Sequence, residues 1–258
     1  MTNKQILKIA MAQSGIDSGC AAEDFLSFEN KVVISRAHPE ARRYLELPFS
    51  CDLTSYGNNI VASVSRELAE MVEQYINRFA IEHCFETPNL HVLMDVLRPF
   101  DLSICFMAEY FLPDMDVLRP FDCRYETRLL TPDDFADLYL PTWSNALCEK
   151  RKQLDKIAIG AYDNGNLIAL AGASADCDTM WQIGIDVLPE YRRQGIASSL
   201  TSTLACEILK RGMVPFYCCA WSNIRSARNA IKSGFRPAWV QVTAKPREFI
   251  DNMNKPLE

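Results

Sequence analysis

The alternation of apolar and polar positions divides the chain into two stretches of different character. Residues 1–122 give mixed α and β signals. Lys31-Val32-Val33-Ile34-Ser35 is a short strand candidate. Residues 51–56 and 60–64 flank Gly57-Asn58-Asn59, the turn chemistry of a β-hairpin. After Ser65, the residues Leu68, Met71, Val72, Tyr75, Ile76 and Phe79 recur at helical spacing, and Glu67 suits the positive end of a helix dipole. That stripe is expected to face a core. The octapeptide Met94-Asp95-Val96-Leu97-Arg98-Pro99-Phe100-Asp101 recurs unchanged at residues 115–122, but the residues after each copy differ, so no sustained repeat follows.

The pattern sharpens beyond residue 123. Residues 124–130 alternate like a strand. Thr131-Pro132-Asp133-Asp134 then reads as a helix start, with Thr131 as N-cap and Pro132 at the first helical position. Residues 157–162 and 167–173 are strands joined by the hairpin signal Asp163-Asn164-Gly165-Asn166. Residues 181–187 form another strand, 197–210 an amphipathic helix with Gly212 as its stop, and 214–220 a further strand. A helix over 224–233 and a strand over 235–242, interrupted at Pro237, complete the series. Strand, helix and strand in succession imply a parallel crossover between 181–187 and 214–220. The expected organisation is an N-terminal α+β domain, 1–122, and an α/β domain, 123–258.

Composition adds exclusions. The 258 residues, 48% hydrophobic and 23% charged, belong to an ordinary globular protein with room for one large domain or two smaller ones. A net charge of -6 argues against general affinity for nucleic acid or acidic membranes. No stretch approaches the ~20 apolar residues of a membrane span. The ten cysteines form no C-x-x-C pair, and residues 1–11 carry Lys4 and Lys8 without an uninterrupted apolar run. The expectation is a cytoplasmic protein whose cysteines are reduced and mostly buried. His38, His83 and His91 lack metal-ligand spacing, so no metal site is expected. Those histidines also give no base to Cys177, Cys218 or Cys219, which argues against a covalent cysteine mechanism. Trp181, Trp221 and Trp239 are expected as core or pocket-wall aromatics.

The chemistry concentrates between Val187 and Ala197. There a strand ends, the basic turn Leu188-Pro189-Glu190-Tyr191-Arg192-Arg193-Gln194 follows, and a helix begins at Gly195. The first amides of a helix have no internal partners and the dipole favours negative charge there, so this is an anion cradle. Gly195 lets a ligand approach the backbone, Ala197 keeps the next turn small, and Arg192 and Arg193 add positive charge. The competing reading is a solvated basic turn capping an ordinary helix.

Arg192-x-x-Gly195-x-Ala197, followed by Asn223-Ile224-Arg225-Ser226 and Gly234-Phe235, resembles the coenzyme A signature and second motif of the GNAT superfamily of N-acyltransferases. The resemblance covers about Tyr125 to Lys245. It implies a mixed twisted sheet flanked by helices whose two central parallel strands splay apart, with acetyl-CoA as co-substrate in the opening. The pyrophosphate would lie on the amides of Arg193, Gln194, Gly195, Ile196 and Ala197, beside Arg192. The pantetheine would run along Ile185 and Val187, and Asn223 and Ser226 would contact the pantetheine or thioester. The chemistry implied is direct attack of a primary amine on the thioester. Many relatives place an acidic tyrosine four residues before the glycine of the Gly-Phe pair; here that position is Ala230. Tyr217 is the substitute acid. Asp186 is the first candidate base, Asp176 and Asp178 are runners-up acting through water, and Glu190 balances local charge. The acceptor is expected to be a small-molecule amine, with no nucleic acid or membrane partner. The N-terminal domain would cover the acceptor side, form a homodimer interface, or be a degenerate copy of the same fold. A non-catalytic acyl-CoA-binding or regulatory protein is the alternative.

Overall fold

The computed structural model describes residues 1–255, so the end of the expected C-terminal domain, 256–258, lies outside the described residues. In chain order the elements are α1 (Asn3–Ser18), β1 (Lys31–Ile34), β2 (Cys51–Ser55), β3 (Val61–Val64), α2 (Ala69–Ile76), α3 (Thr87–Leu97), β4 (Leu102–Pro113) and β5 (Glu126–Leu130). There follow β6 (Asp155–Asp163), β7 (Asn166–Ser174), β8 (Met180–Val187), α4 (Ile196–Lys210), β9 (Val214–Ala220), α5 (Ile224–Lys232), β10 (Phe235–Pro246) and α6 (Arg247–Met253).

Two compact units interleave in sequence: residues 1–10 with 110–237, and residues 11–109 with 238–258. The sequence places one boundary at 122, whereas these divisions fall inside α1, β4 and β10. A boundary inside a regular element has no polar linker to mark it, which is why composition does not locate it.

In the first unit, β5, β6, β7 and β8 form an antiparallel meander and β9 joins β8 in parallel. Asn164 and Gly165 turn the β6–β7 hairpin with φ of 47° and 83°, as Asn-Gly in that position requires. The period of two separates the sheet's faces. Ile157, Ile159 and Ala161 of β6 and Ala169, Ala171 and Ala173 of β7 pack with Ile196, Leu200, Leu204 and Ile208, one stripe of α4. Ala158 and Leu170 instead pack with Phe135, Trp143 and Leu147. Each large aliphatic side chain buried in this way contributes roughly 1.5–3 kcal/mol. The hydroxyl-rich flank of α4 is buried too. Ser199 donates to the Phe121 carbonyl at 2.7 Å, Ser202 accepts the Phe121 amide at 3.2 Å, and Thr201 accepts from Asn229 of α5 at 3.1 Å.

The second unit is smaller. There β1 pairs with β3 in parallel, β3 with β2 antiparallel, and β2 with residues 240–244 of β10 antiparallel. Leu68, Val72, Tyr75 and Ile76 close over this sheet with Leu90, Leu93 and Leu97 of α3, as the helical stripe predicts. Asp52 is buried and accepts from Thr54, Gln241 and Thr243. Burial outweighs those hydrogen bonds and pushes its carboxyl up to about 6.

Four expectations are corrected. Thr131 to Asp134 starts no α-helix: the Thr131 amide and hydroxyl both donate to Asp134, but only short 3-10 turns follow. Pro141 limits the segment to a length at which an isolated helix is not stable. Pro237 does not interrupt the last strand, since β10 runs through it. Trp221 is exposed, while Trp239 is buried. The ten cysteines are free thiols, but only Cys51, Cys84 and Cys177 are fully buried; the other seven are half-buried.

Gly172 and Gly184 face one another across β7 and β8. A Cβ on either would strike the backbone of the crossing segment, the Ala146 carbonyl at Gly172 and the Asn145 carbonyl at Gly184. The paired glycines are therefore a flat bed for the Asn145–Ala146 peptide. Gly172→Ala should lower stability by about 1–3 kcal/mol, read as a lower urea midpoint at unchanged slope. An unchanged midpoint would mean that the peptide does not lie on that bed.

Candidate active site

The strands β8 and β9 pair only at Met180–Val214, Trp181–Pro215 and Gln182–Phe216. Beyond Gln182 they part, and a cleft of about 630 Å³ opens between them. Ile185, Asp186 and Val187 line one side and Tyr217 the other. The turn after β8 and the face of α5 complete the walls. In the gap Gln182 donates to the Cys218 thiol at 3.0 Å.

The turn has the geometry of an anion cradle. Arg193 and Gly195 both take left-handed backbone, with φ of 63° and 83°. The first helical bond of α4 runs from the Ser199 amide to the Gly195 carbonyl, so the amides ahead of Ser199 have no helical acceptor. A side chain on Gly195 would stand over them. The turn is braced from outside: Tyr191 donates to Asp163 at 2.9 Å, Tyr125 donates to the Gln194 side chain at 2.9 Å, and Arg192 donates through Nε to the Val187 carbonyl at 3.0 Å.

Most of the sequence-predicted cofactor residues meet here. Ile185, Val187, Arg192, Arg193, Gly195, Ile196, Ala197 and Ser226 line the cleft. Gln194 and Asn223 do not. The Gln194 side chain is taken by Tyr125, Arg124 and the Glu190 carbonyl, and Asn223 caps α5 by accepting the Ser226 amide at 3.2 Å. Sequence reasoning missed Asn145, Tyr191, Ser198, Arg225, Arg228, Asn229 and Lys232. The cationic spacing at 225, 228 and 232 was a legible signal, since it puts three positive charges on one helix face.

The candidate acid and base also line the cleft. Tyr217 is 3% exposed, and its hydroxyl donates to Ser226 at 3.4 Å. Burial raises its pKa, with hydrogen bonds to Ser226 and Asn229 working the other way. Ala230 is fully buried in the main core with residues of α4 and β9. Asp186 accepts the Asn145 amide at 2.9 Å, the Asn145 side chain at 2.6 Å and the Ala146 amide at 3.0 Å. It thus ties the segment laid across Gly172 and Gly184 to β8. Asp176 and Asp178 do not line the cleft; Asp176 is fully buried, 3.8 Å from Arg151.

The segment ahead of the site is fixed by the second octapeptide. Gly234, at φ 91°, lies under Leu118: a Cβ there would approach the Leu118 Cα to 2.8 Å. The Asp114 amide donates to the Gly234 carbonyl, and Leu118 closes a turn on Asp114.

A family model of GNAT acetyltransferases matches residues 104–238, just over half of the chain. The chain belongs to the GNAT acetyltransferase family. The match begins about twenty residues before the resemblance visible at Tyr125, and so takes in most of β4 and the second octapeptide. Among solved structures, a putative acetyltransferase from Novosphingobium aromaticivorans is 19% identical at a TM-score of 0.45, over 56% of this chain and 66% of its own. A GCN5-related N-acetyltransferase-like protein from Streptococcus suis is 16% identical at 0.45, over 61% and 69%. A GCN5-related N-acetyltransferase from Sphaerobacter thermophilus is 12% identical at 0.47, over 72% of each chain. The chain thus spans about two thirds of the length of the structures it resembles. No curated protein matches it. The GNAT acetyltransferase fold carries acyl transfer in general, and the mixed sheet flanked by helices is its architecture.

Asp186→Ala should release the crossing segment. Hydrogen exchange at the Asn145 and Ala146 amides is expected to speed up by about 10-fold or more, with the amides of α4 unchanged. Unaltered protection would remove the anchoring role of Asp186.

Proposed function

We propose that the protein is an acetyl-CoA-dependent N-acetyltransferase that moves an acetyl group to a primary amine of a small molecule by direct attack. The observation that carries this reading is the junction of the parted strands with the Gly195 cradle. A diphosphate fits the cradle, since free amides, the helix dipole and two arginines converge on open space. A pantetheine arm suits the edge of β8 at Ile185–Val187, which β9 leaves uncovered and which can bond it like an added strand.

In this reading the chain contributes mainly by holding two substrates in line. Tyr217 supplies the proton that the leaving thiolate takes up. Burial keeps its hydroxyl protonated at neutral pH, and Ser226 and Asn229 fix its direction. Asp186 acts as a positioning residue, because its two oxygens already hold three donors, and the proton of the attacking amine leaves to water at the cleft mouth. The alternative, a binding protein without turnover, draws on the buried Ala230 in place of a tyrosine.

Thiol release from acetyl-CoA in the presence of a panel of primary amines separates the two readings. Turnover is expected with at least one amine, and Tyr217→Phe should lower kcat by about 10²-fold or more at little-changed affinity for acetyl-CoA. Because the Tyr217 pKa is raised, wild-type kcat should not lose its acid until the pH passes the ordinary tyrosine value of about 10. Tight binding without release by any amine would favour the binding protein, and a Phe variant as fast as wild type would remove Tyr217 as the acid.

A further inference from the structure

The gap between β8 and β9 passes through the sheet, and its two faces differ. Successive residues of a strand alternate between faces. Ile183 and Tyr217 belong to the face that packs on α4. Gly184 belongs to the other, where the Asn145 carbonyl lies against it and Ala146 packs with Trp143, Leu147, Ala158 and Leu170. Tyr217 stands one residue past the last strand pair, Gln182–Phe216, and Gly184 two residues past it. The candidate acid and the Asn145–Ala146 peptide thus flank nearly the same level of the gap from opposite sides. An acyl arm laid from the Gly195 cradle along Val187 and Ile185 reaches that level with its far end.

Asn145 is exposed and lines the cleft. Its side-chain amide has one allowed sense, because a carboxylate accepts hydrogen bonds and does not donate them. Asp186 takes the Asn145 Nδ2 at 2.6 Å and the Asn145 main-chain amide at 2.9 Å. The Nδ2 end is therefore held against Asp186, and Oδ1 is the end left for a ligand; among the described residues nothing donates to it. Much of the remaining polar lining only donates: Arg192, Arg193, Arg225, Arg228 and Lys232. A neutral, fixed acceptor suits one part of the reaction. An amine attacks through its lone pair, so it has to be held by an N–H and held uncharged. A carboxylate in the same place would favour the ammonium, which has no lone pair. An amide oxygen aligns the N–H without stabilising that charge as strongly.

We infer that Asn145 Oδ1 accepts an N–H of the attacking amine, on the face of the gap opposite Tyr217, and thereby selects primary amines over N-alkylated ones. This rests on the acetyltransferase reading of the cleft. A primary amine has one N–H for Asn145 and a second to release. Its lone pair forms the C–N bond, the C–S bond breaks, and the departing thiolate takes the Tyr217 proton. The second amine proton passes to water, and Tyr217 is reprotonated from solvent. A secondary amine has a single N–H for both tasks, so it loses either its alignment or its route to the neutral amide.

The test is thiol release from acetyl-CoA with methylamine, ethanolamine and benzylamine, each beside its N-methyl counterpart. Wild type should favour the primary member of any pair that turns over by about tenfold or more in kcat/KM. Asn145→Leu keeps the bulk of the side chain and removes the oxygen. It should lose most of that preference through slower use of the primary amine, at unchanged calorimetric affinity for acetyl-CoA. The Ala146 amide should stay protected from exchange in the variant, because its own bond to Asp186 at 3.0 Å remains. Equal use of both members of a pair by wild type would overturn the inference without any variant, as would a preference that Asn145→Leu keeps in full. Loss of the preference together with the Ala146 protection would assign Asn145 to holding the segment, and would overturn it too. Release with none of the six amines would instead overturn the acetyltransferase reading, and this inference with it.

Discussion

The site depends on one constraint: two neighbouring parallel strands pair for three residues and then part. Backbone groups in a sheet need partners, and those of β8 beyond Gln182 keep theirs on the β7 side while the β9 side lies open. The consequences spread from that opening. The turn after β8 is delivered at the mouth of the gap, α4 begins there with its amides outward, and Tyr217 of β9 faces the gap from the other wall. The packing beneath keeps this geometry. The alanines of β7 let α4 lie close to the sheet, and the serines of α4 hold the segment at Phe121 without leaving polar groups unsatisfied.

A second layer of support comes from residues remote in sequence. Gly172 and Gly184 admit the Asn145–Ala146 peptide, and Asp186 holds it, so one wall of the cleft is built from three separate segments. Sequence reading found Asp186 as a candidate base, because an aspartate at a strand end beside an expected site looks the same whether it anchors a segment or moves a proton. What the structure adds is its three donors, two of them backbone amides of a segment about forty residues away. No spacing rule reaches that far.

Local signals were legible wherever short-range physics decides. The Asn164-Gly165 hairpin, the stop at Gly212, the parallel crossover around α4 and the cradle at Gly195 follow from φ requirements, amphipathic period and helix-end chemistry. Elements set by context were not. The repeated octapeptide makes the point: residues 94–97 close α3, which is already nucleated and buries Leu90, Leu93 and Leu97, whereas residues 115–117 form a turn after β4 and 118–122 are irregular. The second copy starts just after Pro113, at the end of β4, and its own Pro120 leaves too few residues before it for a stable helix. The failed helix at Thr131 has the same cause.

Electrostatics sets the cleft apart from the rest of the molecule. A chain of net charge -6 concentrates five cations around one opening, and a basic cleft in an acidic surface focuses an anionic ligand where it is needed. The central claim is that the Gly195 turn is a working phosphate cradle. Titration of acetyl-CoA by calorimetry into wild type and into Gly195→Glu tests it most directly, because the variant places a side chain and a negative charge over the open amides. Binding by wild type and its loss in a variant that still melts cooperatively is the predicted result. Equal binding by both, or none by wild type, would contradict the account.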